Sequence, residues 1–149
     1  MTNSLLYNFA MGSLYGIAYP RTPKPEELPL TEQIFIAQKK IIEDAARRSP
    51  CVFVGRCADY ILKDRDDVLK VFIYCDREIR RQRALAEYGE IEEYIDEFMH
   101  QMDKKRRIHY ETFTNQKWGR RENYDLMLNS GALGIDSCVQ LICDAAKRG

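Results

Sequence analysis

Arginines set beside glycine and aspartate are the residues of this sequence best suited to chemistry, and the chemistry they suit is holding an anion. Gly55-Arg56 comes first, with Asp59 three positions further on. A guanidinium there can grip a phosphate through two parallel hydrogen bonds, and the glycine lets a ligand approach the backbone. The plain alternative is a turn glycine beside a surface arginine paired to Asp59 or Asp64. Arg77, Arg80, Arg81 and Arg83 come next, placing cations on two adjoining stripes of a helix. Cations in a first helical turn oppose the macrodipole by up to ~1 kcal/mol. A bound phosphate would offset that cost, and so would surface salt bridges to Glu90, Glu92, Glu93, Asp96 and Glu97. The third feature is Asp103-Lys104-Lys105-Arg106-Arg107. Asp103 and Arg106 share a helical face, so the carboxylate can orient the arginine or hydrogen-bond a base. Cations at a helix C-terminus are also ordinary dipole complements.

Other chemistries find little support. His100 and His109 are not spaced for a shared metal, and the five cysteines show no metal-type pairing, so no metal site is expected. Set mostly in apolar runs, those cysteines read as reduced thiols of a cytoplasmic protein. The formal net charge is zero, which gives no reason to expect a nucleic-acid polymer or an anionic membrane as partner. Apolar residues make up 45% and charged residues 31%, a globular composition, and no stretch approaches the ~20 apolar residues of a membrane span. Trp118 beside Gly119 reads as a packing aromatic rather than a base-stacking platform.

The elements that must carry these residues follow from period and punctuation. Leu5, Leu6, Phe9, Ala10 and Leu14 fit one face of a short helix over Ser4–Leu14, and the prolines between Tyr19 and Pro29 make a loop. Thr31 serves as N-cap of a helix whose buried face is Ile34, Ala37, Ile41 and Ala45, stopped at Ser49-Pro50. Cys51–Val54 is a short apolar run of buried-strand type, with a helical turn over Ala58–Lys63. Leu69–Cys75 and Tyr124–Asn129 complete three strands. Asp76 caps a helix over Arg77–Tyr88, and another runs from about Ile91 to His109. Thr112–Asn123 is a loop or lid, and Asp136 caps a last helix that buries Val139, Ile142 and Cys143. Strands alternating with helices predict an α/β fold with a parallel sheet, in which ligands bind beyond the carboxyl ends of the strands. All three arginine features sit there.

The same features resemble the cytidylate kinase-like family of nucleoside monophosphate kinases. The likeness is carried by Asn3–Tyr7, Ala10–Ser13, Phe35–Gln38, Cys51–Leu62, Val71–Tyr74, Asp103–Arg106, Tyr110, Trp118-Gly119, Tyr124–Leu126, Asn129-Ser130 and Leu133–Ile135. Gly55-Arg-Cys-Ala-Asp59 and Asp103-Lys-Lys-Arg106 are its most specific parts. The resemblance implies one domain over 1–149, with 1–30 closing over the monophosphate and 77–123 bearing the lid. It implies that Arg56 and Arg106 hold the acceptor phosphate, with Asp59 and Asp103 in the same substrate site. Arg80, Arg83 and Arg106 would act on the phosphates at transfer, from ATP with Mg²⁺ to CMP or dCMP. Cys57 departs from the pattern, since classical members place an aspartate there.

Members begin with a strand, a Gly-rich phosphate loop and a helix. No Gly-x-x-x-x-Gly-Lys-Ser/Thr occurs in the 149 residues. The expectation is therefore a partial P-loop-kinase-like sheet, with its first strand and P-loop missing and phosphate transfer impaired. The missing strand would lie between Cys51–Val54 and Leu69–Cys75. Those strands must then pair directly, or a partner or a second copy fills the slot through the open sheet edges. A catalytically inactive protein that binds a nucleoside monophosphate, or an interaction module, is the alternative.

Overall fold

The computed structural model describes residues 25–88 and 93–147. The helix expected over Ser4–Leu14 and most of the proline-rich loop lie outside them. The chain divides into two compact units, Met1–Ala58 and Asp59–Gly149.

In the first unit a 3₁₀ turn, Pro25–Glu27, precedes helix α1, Leu30–Arg48. The residue that caps α1 is Pro29 and not Thr31. Its backbone, at φ −52° and ψ 144°, is still extended, and its carbonyl accepts from the N–H groups of Glu32 and Gln33 at 2.9 and 3.1 Å. Ser49, in extended conformation, ends the helix as expected. The buried residues of α1 are Phe35 and Ile42, while Ile34, Ala37 and Ile41 face outward. Two adjacent stripes of this helix are apolar, and period alone does not choose between them.

Cys51–Val54 forms no strand. Val52 and Val54 are 92% and 90% exposed. An apolar β-branched run becomes a strand only when a neighbour takes its backbone hydrogen bonds, and among the described residues none does. Gly55, Arg56 and Cys57 then follow with φ of 69°, 59° and 58°. Left-handed backbone costs about 1–2 kcal/mol at each non-glycine position, and here it turns the chain into a short helix, α2, Ala58–Ile61.

The second unit holds a two-stranded parallel sheet of β1, Val71–Tyr74, and β2, Leu126–Asn129, in register from Val71↔Leu126 to Tyr74↔Asn129. The connection between them runs through α3, Arg77–Tyr88, and α4, Ile95–Thr114, as parallel pairing requires. The Asp76 carbonyl accepts from Arg80 N–H at 3.0 Å, so Asp76 stands at the head of α3 as expected. Helix α4 runs five residues past His109 before Asn115, at φ 54°, ends it. Tyr110 and Thr114 are buried, which keeps that last turn helical. Phe72 packs edge-on against Trp118, ring centroids 5.6 Å apart, and leans on Tyr124 at 4.9 Å. Gly119, at φ 74°, lies where a Cβ would stand 3.1 Å from the Phe72 ring.

Beyond β2 come a short helix, α5, Ser130–Leu133, and α6, Ile135–Ala146. Gly134 and not Asp136 precedes α6. Of the α6 residues Cys138 is buried, whereas Val139 and Cys143 are exposed. Asn129 caps α5, accepting from Gly131 and Ala132 N–H at 3.0 and 3.2 Å, and α6 begins only after the break at Gly134. Helix α6 thus starts two residues earlier than a cap at Asp136 would set, and it turns Cys138 inward in place of Val139 and Cys143. The core of the second unit comprises Ile95, fully buried, with Leu62, Met99, Tyr110, Leu128 and Cys138. Among the described residues no helix is long and apolar enough to cross a membrane.

Candidate functional site

Because β1 and β2 are parallel, their carboxyl ends open to the same side, and α3 and α5 start there. Arg83 reaches across from α3. Its guanidinium donates to Ser130 Oγ at 3.1 Å and to the Ser130 carbonyl at 2.9 Å. Ser130 Oγ in turn donates to the Tyr74 carbonyl at 3.2 Å. One arginine thus ties the ends of both strands together.

Arg80, one turn earlier on α3, meets Asp103 of α4 fork to fork, at 2.8 and 3.0 Å. The hydrogen bonds that Arg80 donates to Asp103 raise its pKa above the ordinary value, against the opposing effect of burial, so this cation is fixed in charge and place. Arg106 approaches the same carboxylate at 3.5 Å and is more than half exposed. Two guanidinium groups around one carboxylate leave a net positive charge, which suits a phosphate. Asp103 therefore orients two arginines from two helices, and the expected Asp103–Arg106 pair is the looser of them.

Arg77 and Arg81 realise the salt-bridge alternative. Arg77 donates to Asp96 at 2.8 and 3.1 Å, and Arg81 lies 3.5 Å from the same carboxylate. A shallow groove of about 440 Å³ runs here, lined from α3 by Arg77 and Arg80 and from α4 by Asp96, Glu97, His100 and Asp103, with Met99. The arginines and carboxylates among them carry two positive and three negative charges. The lining of the groove is therefore net negative, and the local excess of positive charge lies where Arg80 and Arg106 share Asp103.

Asp59 accepts a 2.7 Å hydrogen bond from the buried Tyr110 hydroxyl. Burial, then the Asp59 carboxylate, pushes the Tyr110 phenol well above its ordinary pKa. Thr114 Oγ1 donates to the Tyr110 carbonyl at 2.7 Å and fixes the same turn. Asp59 thus holds the helix that carries Asp103 and Arg106. Arg56, in the first unit, is exposed on its left-handed turn and makes no ion pair with any described residue.

Among the described residues no group of three or more His, Cys, Asp or Glu could hold a metal ion. Sequence reasoning gave no part in the site to Ser130 or to the Asp59–Tyr110 bond. A serine directly after a strand was the available signal for the first. The second joins residues 51 positions apart and leaves no spacing to read.

Residues 1–132 match the cytidylate kinase-like family. No curated protein matches the chain. Among solved structures it is similar to an uncharacterized protein from Eubacterium ventriosum ATCC 27560, with a TM-score of 0.74 and 27% identity over 83% of this chain and 78% of that one. The matched span takes in every arginine of the cluster and both strands that open onto it, and on that match the chain belongs to the cytidylate kinase-like family.

Proposed function

We propose that this chain carries the acceptor-side and lid arginines of a phosphotransferase that passes the γ-phosphoryl group of ATP to CMP or dCMP. The observation that carries the reading is the Asp103 carboxylate held between Arg80 and Arg106, beside the carboxyl ends of the parallel strands. Arg106, the more exposed cation, takes the acceptor phosphate. Asp103 keeps Arg106 in range without neutralising the pair of arginines. Arg80 and Arg83 lie on successive turns of α3 and stabilise charge spread over the equatorial oxygens of the moving group. Asp59 serves the acceptor through Tyr110 rather than by direct contact.

ATP supplies the phosphoryl group, and Mg²⁺ neutralises its charge. Among the described residues no group of three or more His, Cys, Asp or Glu could hold the metal by itself, so the phosphates of ATP would supply most of its ligands. A second reading is a protein that binds the monophosphate without transferring phosphate.

ADP release from Mg-ATP, followed with and without CMP or dCMP, tests the first reading. Release that depends on the acceptor and is lost in Arg106→Ala supports it. CMP binding without ADP release selects the second reading, and absence of both from a folded sample defeats both.

A further inference from the structure

The four arginines of α3 divide by what holds them. Arg77 and Arg81 share Asp96, and Arg80 is bound fork to fork by Asp103, so a carboxylate offsets each of those charges. Arg83 pairs with no carboxylate among the described residues: its bonds go to the hydroxyl and the carbonyl of Ser130, at 3.1 and 2.9 Å. Neutral oxygens fix the group and leave its charge uncompensated. A partly buried cation in that condition is costly unless an anion completes it. Ser130 is itself held on several sides. It is buried, it follows the last ladder pair, Tyr74↔Asn129, and its hydroxyl proton is spent on the Tyr74 carbonyl at 3.2 Å. The Asn129 side chain, accepting from Gly131 and Ala132 N–H, fixes the backbone around it. With its proton engaged, the Ser130 oxygen meets Arg83 as an acceptor.

We infer that Ser130 is the positioning residue of Arg83, seating that guanidinium at the carboxyl ends of β1 and β2 with its charge left for the donor's phosphates. A guanidinium carries more N–H donors than Ser130 takes, so donors remain for a ligand. A carboxylate in the place of Ser130 would hold the arginine more firmly and offset its charge; a hydroxyl with a carbonyl holds it and does not. Ser130 acts through Arg83 and touches no phosphate itself. This role deepens the phosphotransfer reading and rests on the part of it that brings donor phosphates to Arg83.

Calorimetric titration of inorganic tripolyphosphate into the folded full chain tests it, on the wild type, Ser130→Ala, Arg83→Ala and the double variant. The expected result is binding that weakens at least about tenfold in Arg83→Ala and roughly three- to tenfold in Ser130→Ala. The double variant should bind no more weakly than Arg83→Ala, because a residue that acts through Arg83 has nothing to add once Arg83 is gone. Arg77→Ala, which removes a carboxylate-paired arginine from the same helix, should change the affinity by less than about twofold. A serine that only packs the strand ends would lower the denaturation midpoint of its variant and leave the tripolyphosphate affinity of the folded chain unchanged, which overturns the inference. So does a folded wild type that binds none, an Arg83→Ala variant that binds as well as wild type, losses that add in the double variant, or a loss in Arg77→Ala as large as in Arg83→Ala. ADP release from Mg-ATP is followed separately. Its absence beside the expected tripolyphosphate results defeats the transfer reading and leaves Ser130 as the seat of Arg83.

Discussion

Arg80 and Asp103 stand 23 residues apart on two helices and meet through two hydrogen bonds of 2.8 and 3.0 Å. This pair fastens α3 to α4 and at the same time decides which way Arg106 faces, because the same carboxylate lies 3.5 Å from its guanidinium. The packing of two helices and the placement of two arginines thus hang on one side chain.

Asp103→Asn removes the charge from that junction and keeps its shape. Both partners are partly solvated, so the stability loss is modest, about 1 kcal/mol in urea denaturation. CMP binding by the variant should fall further than stability does, by roughly tenfold, because two arginines lose their common anchor. Unchanged CMP affinity in the variant would separate Asp103 from the site.

Tyr110→Phe tests the anchor of α4. Losing a hydrogen bond to a carboxylate, with Asp59 left behind, costs about 1.5–3 kcal/mol at neutral pH. The pH dependence has a definite sign. The folded state raises the Tyr110 pKa, so above the unfolded phenol value of about 10 the unfolded chain releases a proton that the native state keeps. Stability linked to Tyr110 is complete below pH 10 and declines above it, and the Phe variant lacks that part of the decline. Denaturation midpoints of both proteins at pH 8 and 10.5 check this; parallel losses would show that the Tyr110 proton is not the one released.

The order of elements was legible in the sequence, and the reason is visible in α3. Arg77 to Tyr88 follows a strand, opens after Asp76 and has no internal breaker, so its bounds could be read directly. The two strands bracketing α3 and α4 were readable for the same reason, and their parallel pairing followed from the helices between them. Choosing the inner face of α1 was beyond the sequence, because Ile34–Ala37–Ile41 and Phe35–Ile42 are both apolar stripes. Cys51–Val54 has the composition of a strand, but composition does not supply a hydrogen-bonding neighbour. The arginines themselves were conspicuous. Their partners were not: Asp103 could be matched by spacing to Arg106 but not to Arg80, whose bond depends on how α3 and α4 pack.

Gly131 marks a tight passage beside the cluster. A Cβ there would stand 2.8 Å from Cys75 Sγ and 3.0 Å from Ile79 Cδ1. Gly131→Ala should therefore lower stability by about 1–3 kcal/mol through overpacking, and Cys75→Ala in the same chain should recover part of the loss. Thermal melts of the single and double variants measure it. A neutral single variant would mean that the sulfur yields without cost.

Calorimetric titration of CMP into the folded chain, run beside Arg106→Ala, tests the central claim most directly. The account predicts saturable binding at one site, weakened about 10- to 100-fold in the variant, the loss expected for a charge-assisted bidentate contact to phosphate. Equal affinity in both proteins, or no heat from a folded wild-type chain, would contradict it.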